Sequence, residues 1–410
     1  MIDNYTSFVK KTEILCNGLF LDETLIDHYK NQGIEISYGR KGGAGPIGGR
    51  YFLFENQAIV NAALWDNPSK SNLVVRENED GYFLIYDVKN KSEHSRLKLV
   101  QNPTFYNPEY LTTDGIPMKK IALVHGIDCL SSTIYQKCVY HGCGEGCKFC
   151  AIELSLENGT TIEEKNSKQM SEVITAAKKE GRCNHMTLTS GTDETIDKGA
   201  IRYIELLEGV KENFPKLPLH VQIEPLEDLS YIDELKDAGA NTIGIHLEVL
   251  DQNLRNTVTP GKSRITYEAY EKNWKHALDV FGKNQVSSYL LTGFGESQED
   301  FISDAEKVIA LGVIPYITPV RSIPGLEKIS TITSDTMVEI YTKAAKLMKE
   351  YGVNPLKSKA GCVRCGGCSA INDAYKSVWF FKIDSAIDSL QWVFLFDNID
   401  IWRYSMLYLI

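Results

Sequence analysis

No surplus of basic residues runs through this chain. Its 44 Lys and Arg stand against 54 Asp and Glu, a formal charge of -10, which argues against a broad nucleic-acid surface and favours small molecules and proteins as partners. No apolar run is long enough to span a bilayer, because Asp384, Asp388, Asp397 and Asp400 interrupt even the aromatic final stretch. The opening MIDNYTSFVKKTEILC has neither a basic segment followed by an apolar one nor an Arg-rich transit pattern. It reads as carrying no export signal, and the expected compartment is the cytosol. Internal repeats and low-complexity tracts are missing too. The glycine-rich RKGGAGPIGGR fits neither a phosphate loop nor a dinucleotide fingerprint; it can cradle an anion through backbone N–H groups or simply make a tight turn.

What the chain does have is cysteine, ten residues of it. A reducing compartment disfavours structural disulfides, so clustered thiols there point to metals or redox work. Six fall in two trios, Cys143, Cys147 and Cys150 in HGCGEGCKFC, and Cys362, Cys365 and Cys368 in GCVRCGGCSAIND. Cys16, Cys129 and Cys183 read as isolated buried hydrophobes, and Cys138 lies just upstream of the first trio. Structural zinc takes four protein ligands, commonly as two separated pairs, and would need His141, Cys138 or a remote group to complete the first trio. An iron-sulfur cube with three thiolates leaves one iron open, and compact thiolate loops suit it.

From about residue 119, short β-branched runs alternate with amphipathic stretches. The expected strands are 129–135, 185–191, 219–225, 242–249, 286–295 and 313–320, with helices such as MSEVITAAKKEG and YEAYEKNWKHALDVFG between them. Gly181, Gly282 and Gly312 suit helix C-caps, and Ser297 with Asp300 resembles a capping box. Six strand–helix units in succession imply parallel strands with right-handed crossovers, an α/β partial (β/α)6 barrel of the TIM type. The expected division is a small N-terminal α+β accessory region over 1–118, the barrel over 119–352, a cysteine-rich extension over 353–375, and an aromatic tail over 376–410. The first trio follows the first barrel strand, where βα loops build the active sites of barrel enzymes.

Cys143-x-x-x-Cys147-x-Phe149-Cys150 resembles the signature of the radical S-adenosylmethionine (SAM) enzymes. The resemblance implies a [4Fe-4S] cluster on the three cysteines, SAM on the open iron, and its reductive cleavage to a 5′-deoxyadenosyl radical. It extends in order over the barrel. Ser190-Gly191-Thr192 resembles the turn that holds the methionine moiety, with Asp193 or Glu194 as alternatives for its amine. Glu248 resembles the acidic residue on the ribose, Arg264 the partner of the carboxylate, Gly293-Phe294-Gly295-Glu296 the Gly-x-Gly-Glu turn, and Arg321 a residue near the adenine. Read as residues alone, Glu248 is equally a solvated carboxylate, Glu224 a salt-bridge partner, and the GFGE segment a plain turn.

GRKGGAGP, KIALVHG, CKFCAIELSLENG and VRSIPG together look like a subfamily related to biotin and lipoyl synthases and associated with nitrilase gene clusters. Some members pair an upstream cysteine at the position of Cys138 with the final Cys-x-x-Cys; the third ligand is therefore Cys143 or Cys138, local spacing favouring Cys143. The second trio opens like a bacterial-ferredoxin run whose fourth cysteine is missing, Asn372 standing in its place and Ser369 being a candidate for the gap. The resemblance then implies a second, auxiliary iron-sulfur cluster, sulfur insertion into a small-molecule or carrier-bound substrate, and electrons from reduced flavodoxin or ferredoxin. The competing readings are an iron-sulfur electron-transfer protein and a zinc-stabilised binding module.

Overall fold

The computed structural model describes residues 2–32, 49–76, 80–321 and 332–378. Most of the glycine-rich loop before residue 49, residues 77–79, residues 322–331 after Arg321 and the aromatic tail from 379 onward lie outside the described residues.

Six short strands near the N-terminus, β1 (Leu19–Phe20), β2 (Gly49–Phe54), β3 (Ile59–Trp65), β4 (Leu73–Arg76), β5 (Phe83–Asp87) and β6 (Ser92–Leu99), close into a small barrel in the order β1-β3-β2-β6-β5-β4. Alternate side chains fill it: Phe52 and Phe54, Leu73 and Val75, Phe83 and Ile85, Leu97 and Leu99 are all buried. This is the two-residue period of a pleated strand with one face turned inward. The expected α+β N-terminal region is thus a closed β-barrel with the helix Asn4–Asn17 packed against β3.

A second sheet carries β7 (Leu123–His125), β8 (Cys129–Thr133), β9 (His185–Thr189), β10 (Leu219–Ile223), β11 (Thr242–Ile245), β12 (Val286–Thr292) and β13 (Ile314–Pro319), in sequence order. From β8 to β13 every pairing is parallel, so the six expected strands form the expected partial barrel. β7 pairs antiparallel to β8, and its three residues are too few to show a period in the sequence. The helix Ser167–Lys179 buries Met170, Val173, Ile174 and Ala177, the i, i+3, i+4, i+7 stripe of a helix lying on a sheet. Gly282 ends the helix Tyr267–Phe281 at φ +83° with its N–H on the Leu278 carbonyl, as its C-cap role requires.

Residues 361–368 pack against the N-terminal ends of the strands. The Gly361 N–H donates to His185 Nδ1 at 3.1 Å. Gly361 has φ +84°, and a Cβ there would lie 2.5 Å from the His220 ring, so both backbone conformation and space demand glycine. Lys11 holds the segment from the other side, its buried Nζ donating to the Gly366 carbonyl at 2.8 Å and to Asp373 Oδ2 at 2.5 Å. Both barrels and the segment belong to one compact unit.

Removing one partner of a buried pair leaves the other charge without compensation. Lys11→Met is therefore expected to destabilise the protein by about 3–5 kcal/mol, and Lys11→Met/Asp373→Leu by clearly less. Urea denaturation of the two variants checks this.

Candidate functional site

The loop between β8 and the helix Ser167–Lys179 lies over the C-terminal ends of the strands, and the turn after β9 holds it there. Val139 N–H donates to the Thr192 carbonyl at 3.0 Å, and Gly191 N–H to the Tyr135 carbonyl at 2.8 Å. A Cβ on Gly191 would sit 1.8 Å from the Lys137 carbonyl oxygen. Ser190-Gly191-Thr192 is thus a glycine turn because two backbones touch there, and the Gly191 amide is already used. On the far side, Lys148 N–H reaches the Val258 carbonyl at 2.9 Å and Gly261 N–H the Glu145 carbonyl at 3.1 Å.

Beneath the loop is a cavity of about 220 Å³ whose wall includes Cys138, Cys147 and Cys150. Cys143 is not in that wall. It caps the single-turn helix Val139–Gly142 and is exposed, its thiol donating to the Tyr140 carbonyl at 3.5 Å and Glu145 Oε2 at 3.6 Å. Its side chain turns outward at the end of that helical turn, while Cys138, at the start of the same turn, lines the cavity with the other two thiols. Burial, and then the Glu248 carboxylate, raises the Cys147 thiol well above its ordinary pKa, and burial pushes Cys150 to about 12. Among the described residues, no three His, Cys, Asp or Glu side chains converge at the spacing of a single metal ion.

The expected cofactor-binding residues divide in the same way. Ser190, Gly191, Thr192, Glu248 and Arg321 line the cavity. Arg264 does not: it forms a bidentate pair with Glu145 at 2.8 and 2.6 Å, with 61% of its side chain exposed. That pair clamps the cysteine loop from outside. Lys262, two residues earlier, is in the wall together with Lys198 and Arg321, and its Nζ donates to Glu248 Oε2 at 3.0 Å. Burial alone would lower the Lys262 pKa, but Glu248, Cys147, Tyr270 and Glu224 around it hold it well above the ordinary lysine value. Gly293, Gly295 and Glu296 also stand outside the wall, the Glu296 carboxylate accepting from Gly293 N–H and Phe294 N–H at 2.8 Å each. This turn supports the loop through the Phe149 and Phe294 rings, 6.4 Å apart. Arg321 is held by Asn61 of β3, Nη1 donating to Oδ1 at 2.6 Å. Asp193 is paired with Arg202 at 2.9 Å.

Glu248 has φ +66°, a conformation uncommon for a residue with a side chain. Two ladder bonds fix it, its N–H on the Tyr289 carbonyl at 2.9 Å and the Leu291 N–H on its own carbonyl at 2.6 Å. Glu224 accepts from Tyr140 OH at 3.1 Å and Thr192 Oγ1 at 3.0 Å, and lies 3.9 Å from Lys198. Burial raises its pKa despite these partners. His246 accepts the Tyr289 N–H on Nδ1 at 3.1 Å, which leaves the proton on Nε2. That N–H is buried, has no hydrogen-bond partner among the described residues and belongs to a ring in the cavity wall; His141 Nε2 is likewise buried and unpartnered among them. Sequence reasoning missed Lys262, His246, Lys198 and Tyr140. The spacing of Gly244, His246 and Glu248, alternate residues at the end of a strand, was the available signal for His246.

Residues 138–308 match the family described as the radical SAM superfamily. Lipoyl synthase of Ectopseudomonas mendocina (strain ymp) is 27% identical over 188 residues, which cover 44% of this chain and 51% of that one. Bacteriochlorophyllide c C-7(1)-hydroxylase of Chlorobaculum limnaeum is 22% identical over 261 residues, covering 58% and 64%. The chain thus spans between half and two-thirds of the length of these curated relatives. Among solved structures, methylornithine synthase aligns with a TM-score of 0.45 at 16% identity over 61% of this chain and 70% of that one.

The buried histidines make stability depend on pH. Burial lowers His125 to about 4 and, with His185 nearby, His220 to about 3. Below the unfolded value of 6.5, the unfolded chain takes up protons that the folded chain refuses. Stability is therefore full above that value and falls as the pH drops toward the folded values, by about 1.4 kcal/mol per pH unit per histidine. In the metal-free protein, His220→Asn is expected to flatten the slope between pH 6 and pH 4 by one proton. Chemical denaturation across that range measures it.

Proposed function

Taking as premise that residues 138–308 are a radical SAM domain, we propose that the chain is a radical SAM enzyme in which Cys138, Cys147 and Cys150 hold a [4Fe-4S] cluster and the cavity beneath them receives S-adenosylmethionine. The observation that carries this reading is that these three thiols share one cavity wall while Cys143 faces solvent. The domain match also begins at Cys138. The donor set fits the group: a four-iron cube takes one thiolate per iron, whereas zinc needs its ligands about 2.3 Å from a single point. When bound, cluster and cofactor supply reductive cleavage of a carbon–sulfur bond and, through it, abstraction of hydrogen from a substrate.

The chain's own part is to bind, orient and shield. Lys262 is the cation placed to receive the cofactor's carboxylate in the role that the resemblance gave Arg264, and Glu248 is the acceptor for ribose hydroxyls. The Ser190-Gly191-Thr192 turn fixes the loop over the cavity. His246 offers an unmet N–H donor, and Glu224, with Tyr140, Thr192 and Lys198 around it, closes the opposite wall against water. The substrate is a small molecule or a carrier-bound group, and reduced flavodoxin or ferredoxin supplies electrons. No helix among the described residues is long and apolar enough to cross a membrane.

A second reading, sulfur insertion as in biotin and lipoyl synthases, is favoured by Cys368. It belongs to the second trio and also lines the cavity of the first. A second iron-sulfur cluster on Cys362, Cys365 and Cys368 would then adjoin the substrate.

Anaerobic reconstitution, reduction with dithionite and mass spectrometry of the SAM products test the proposal. Wild-type protein and Cys143→Ala are expected to form 5′-deoxyadenosine, and Cys138→Ala and Cys147→Ala to lose at least 100-fold of that rate, by about the 2.7 kcal/mol that such a factor represents. Full cleavage by Cys138→Ala, or its loss in Cys143→Ala alone, overturns the ligand assignment.

A further inference from the structure

The second trio lies near the N-terminal ends of the strands, the opposite end of the barrel from the first. Its three thiols line a cavity of about 110 Å³ that shares Cys368 with the wall of the first. Of the candidates for a fourth ligand within the segment, Ser369 is occupied, and Asn372 keeps a buried Oδ1 with no partner among the described residues but offers only an amide oxygen, a weaker ligand for an iron-sulfur cluster than a thiolate. Ser369 donates its hydroxyl to the Ile317 carbonyl and accepts the Ile371 N–H. Asn372 donates to the Val363 carbonyl at 2.6 Å.

A fourth thiol comes instead from the barrel. Cys129 is the first residue of β8, is fully buried, and lines the same cavity as Cys362, Cys365 and Cys368. Its thiol lies 3.4 Å from Thr187 Oγ1. An inert buried cysteine packs among hydrocarbon; this one shares a cavity wall with three thiols from a distant part of the chain. Gly126, at φ +63° in the turn before β8, leaves the space that the Cys365 sulfur fills, for a Cβ there would approach it to 2.9 Å. Donors surround the sulfurs. Gln222 Nε2 points to Cys362 Sγ at 3.7 Å, and Tyr51 OH lies 3.8 Å from Cys368 Sγ. Outer hydrogen bonds of this kind stabilise metal-bound thiolates.

We propose that Cys129 is the fourth protein ligand of a second iron-sulfur cluster held by Cys362, Cys365 and Cys368, so that this cluster is coordinatively closed. The inference deepens the second-cluster reading given above and rests on it. A cube with a thiolate on each iron has no iron free for a substrate. The opening at the first site and the closure at the second then divide the work: cofactor and substrate meet at the first.

The test uses the full chain with Cys138, Cys147 and Cys150 all changed to alanine, which leaves only the second site. After anaerobic reconstitution this parent is expected to hold about four iron and four sulfide per chain. Adding Cys129→Ala is expected either to remove the cluster or to leave about three iron per chain with the paramagnetic resonance signal of an oxidised three-iron cluster. Adding Cys183→Ala, an equally buried thiol whose charged neighbours are Lys178 and Asp128, is expected to change nothing. If Cys129→Ala does not fold, as judged by circular dichroism, Cys129→Ser preserves the volume and is expected to shift the reduced-cluster spectrum. Unchanged iron, sulfide and spectra in the Cys129 variants overturn the fourth ligand alone, as does loss of the cluster in His125→Ala with retention in Cys129→Ala. A parent lacking iron and sulfide, or holding zinc, overturns the second cluster itself, and Cys129 with it; SAM cleavage in the wild-type protein judges the first site separately.

Discussion

The turn at Gly191 lies so close under the cysteine loop that a methyl group there would sit 1.8 Å from the Lys137 carbonyl. The placement of Cys138 depends on that approach. Two backbone bonds, Val139 to Thr192 and Gly191 to Tyr135, pin the loop onto the end of β9, and the Glu145–Arg264 pair and the Lys148–Val258 bond pin its other side. A loop fixed at both margins presents its thiols inward at small further entropic cost, because its backbone is already ordered. The site is thus built by main-chain contacts between loops before any cofactor contributes.

Within that frame the cavity combines opposite charges at short range. Glu248, held in a left-handed conformation by two ladder bonds, meets Lys262, and Glu224 meets two hydroxyls. Such pairing lets charged groups persist away from water. It also leaves each of them ready to exchange a protein partner for a ligand group of the same sign. The N–H of His246, unpaired among the described residues, is the complementary case, a donor fixed by its backbone bond and waiting for an acceptor.

Much of the fold was legible in the sequence because six parallel strands buried on both faces announce themselves as apolar runs between amphipathic helices. The small barrel was less so: its strands are short, and β1 pairs in parallel with both β3 and β4, which no local pattern encodes. The site divided along the same line. Spacing placed Cys143, Cys147 and Cys150 together in the chain, yet spacing reports the distance between α-carbons and not the direction of side chains. Cys143 is exposed and Arg264 is on Glu145, while Cys138 and Lys262 line the cavity. Cys129 was read as an inert hydrophobe because nothing within the strand hints at the thiols that tertiary structure brings to it.

Lys11 and its partner Asp373 are separated by 362 positions. A chain made from its N-terminus exposes the lysine early and must wait for nearly all of its described length before the carboxylate arrives. Until then the lower end of the barrel stays unplugged, and Cys129 faces an opening that reagents in solution can enter. Docking of the plug is the late, long-range step of folding. A cluster held in the lower chamber, as proposed above, would have to enter ahead of the moment when an ammonium group and a carboxylate shut the door.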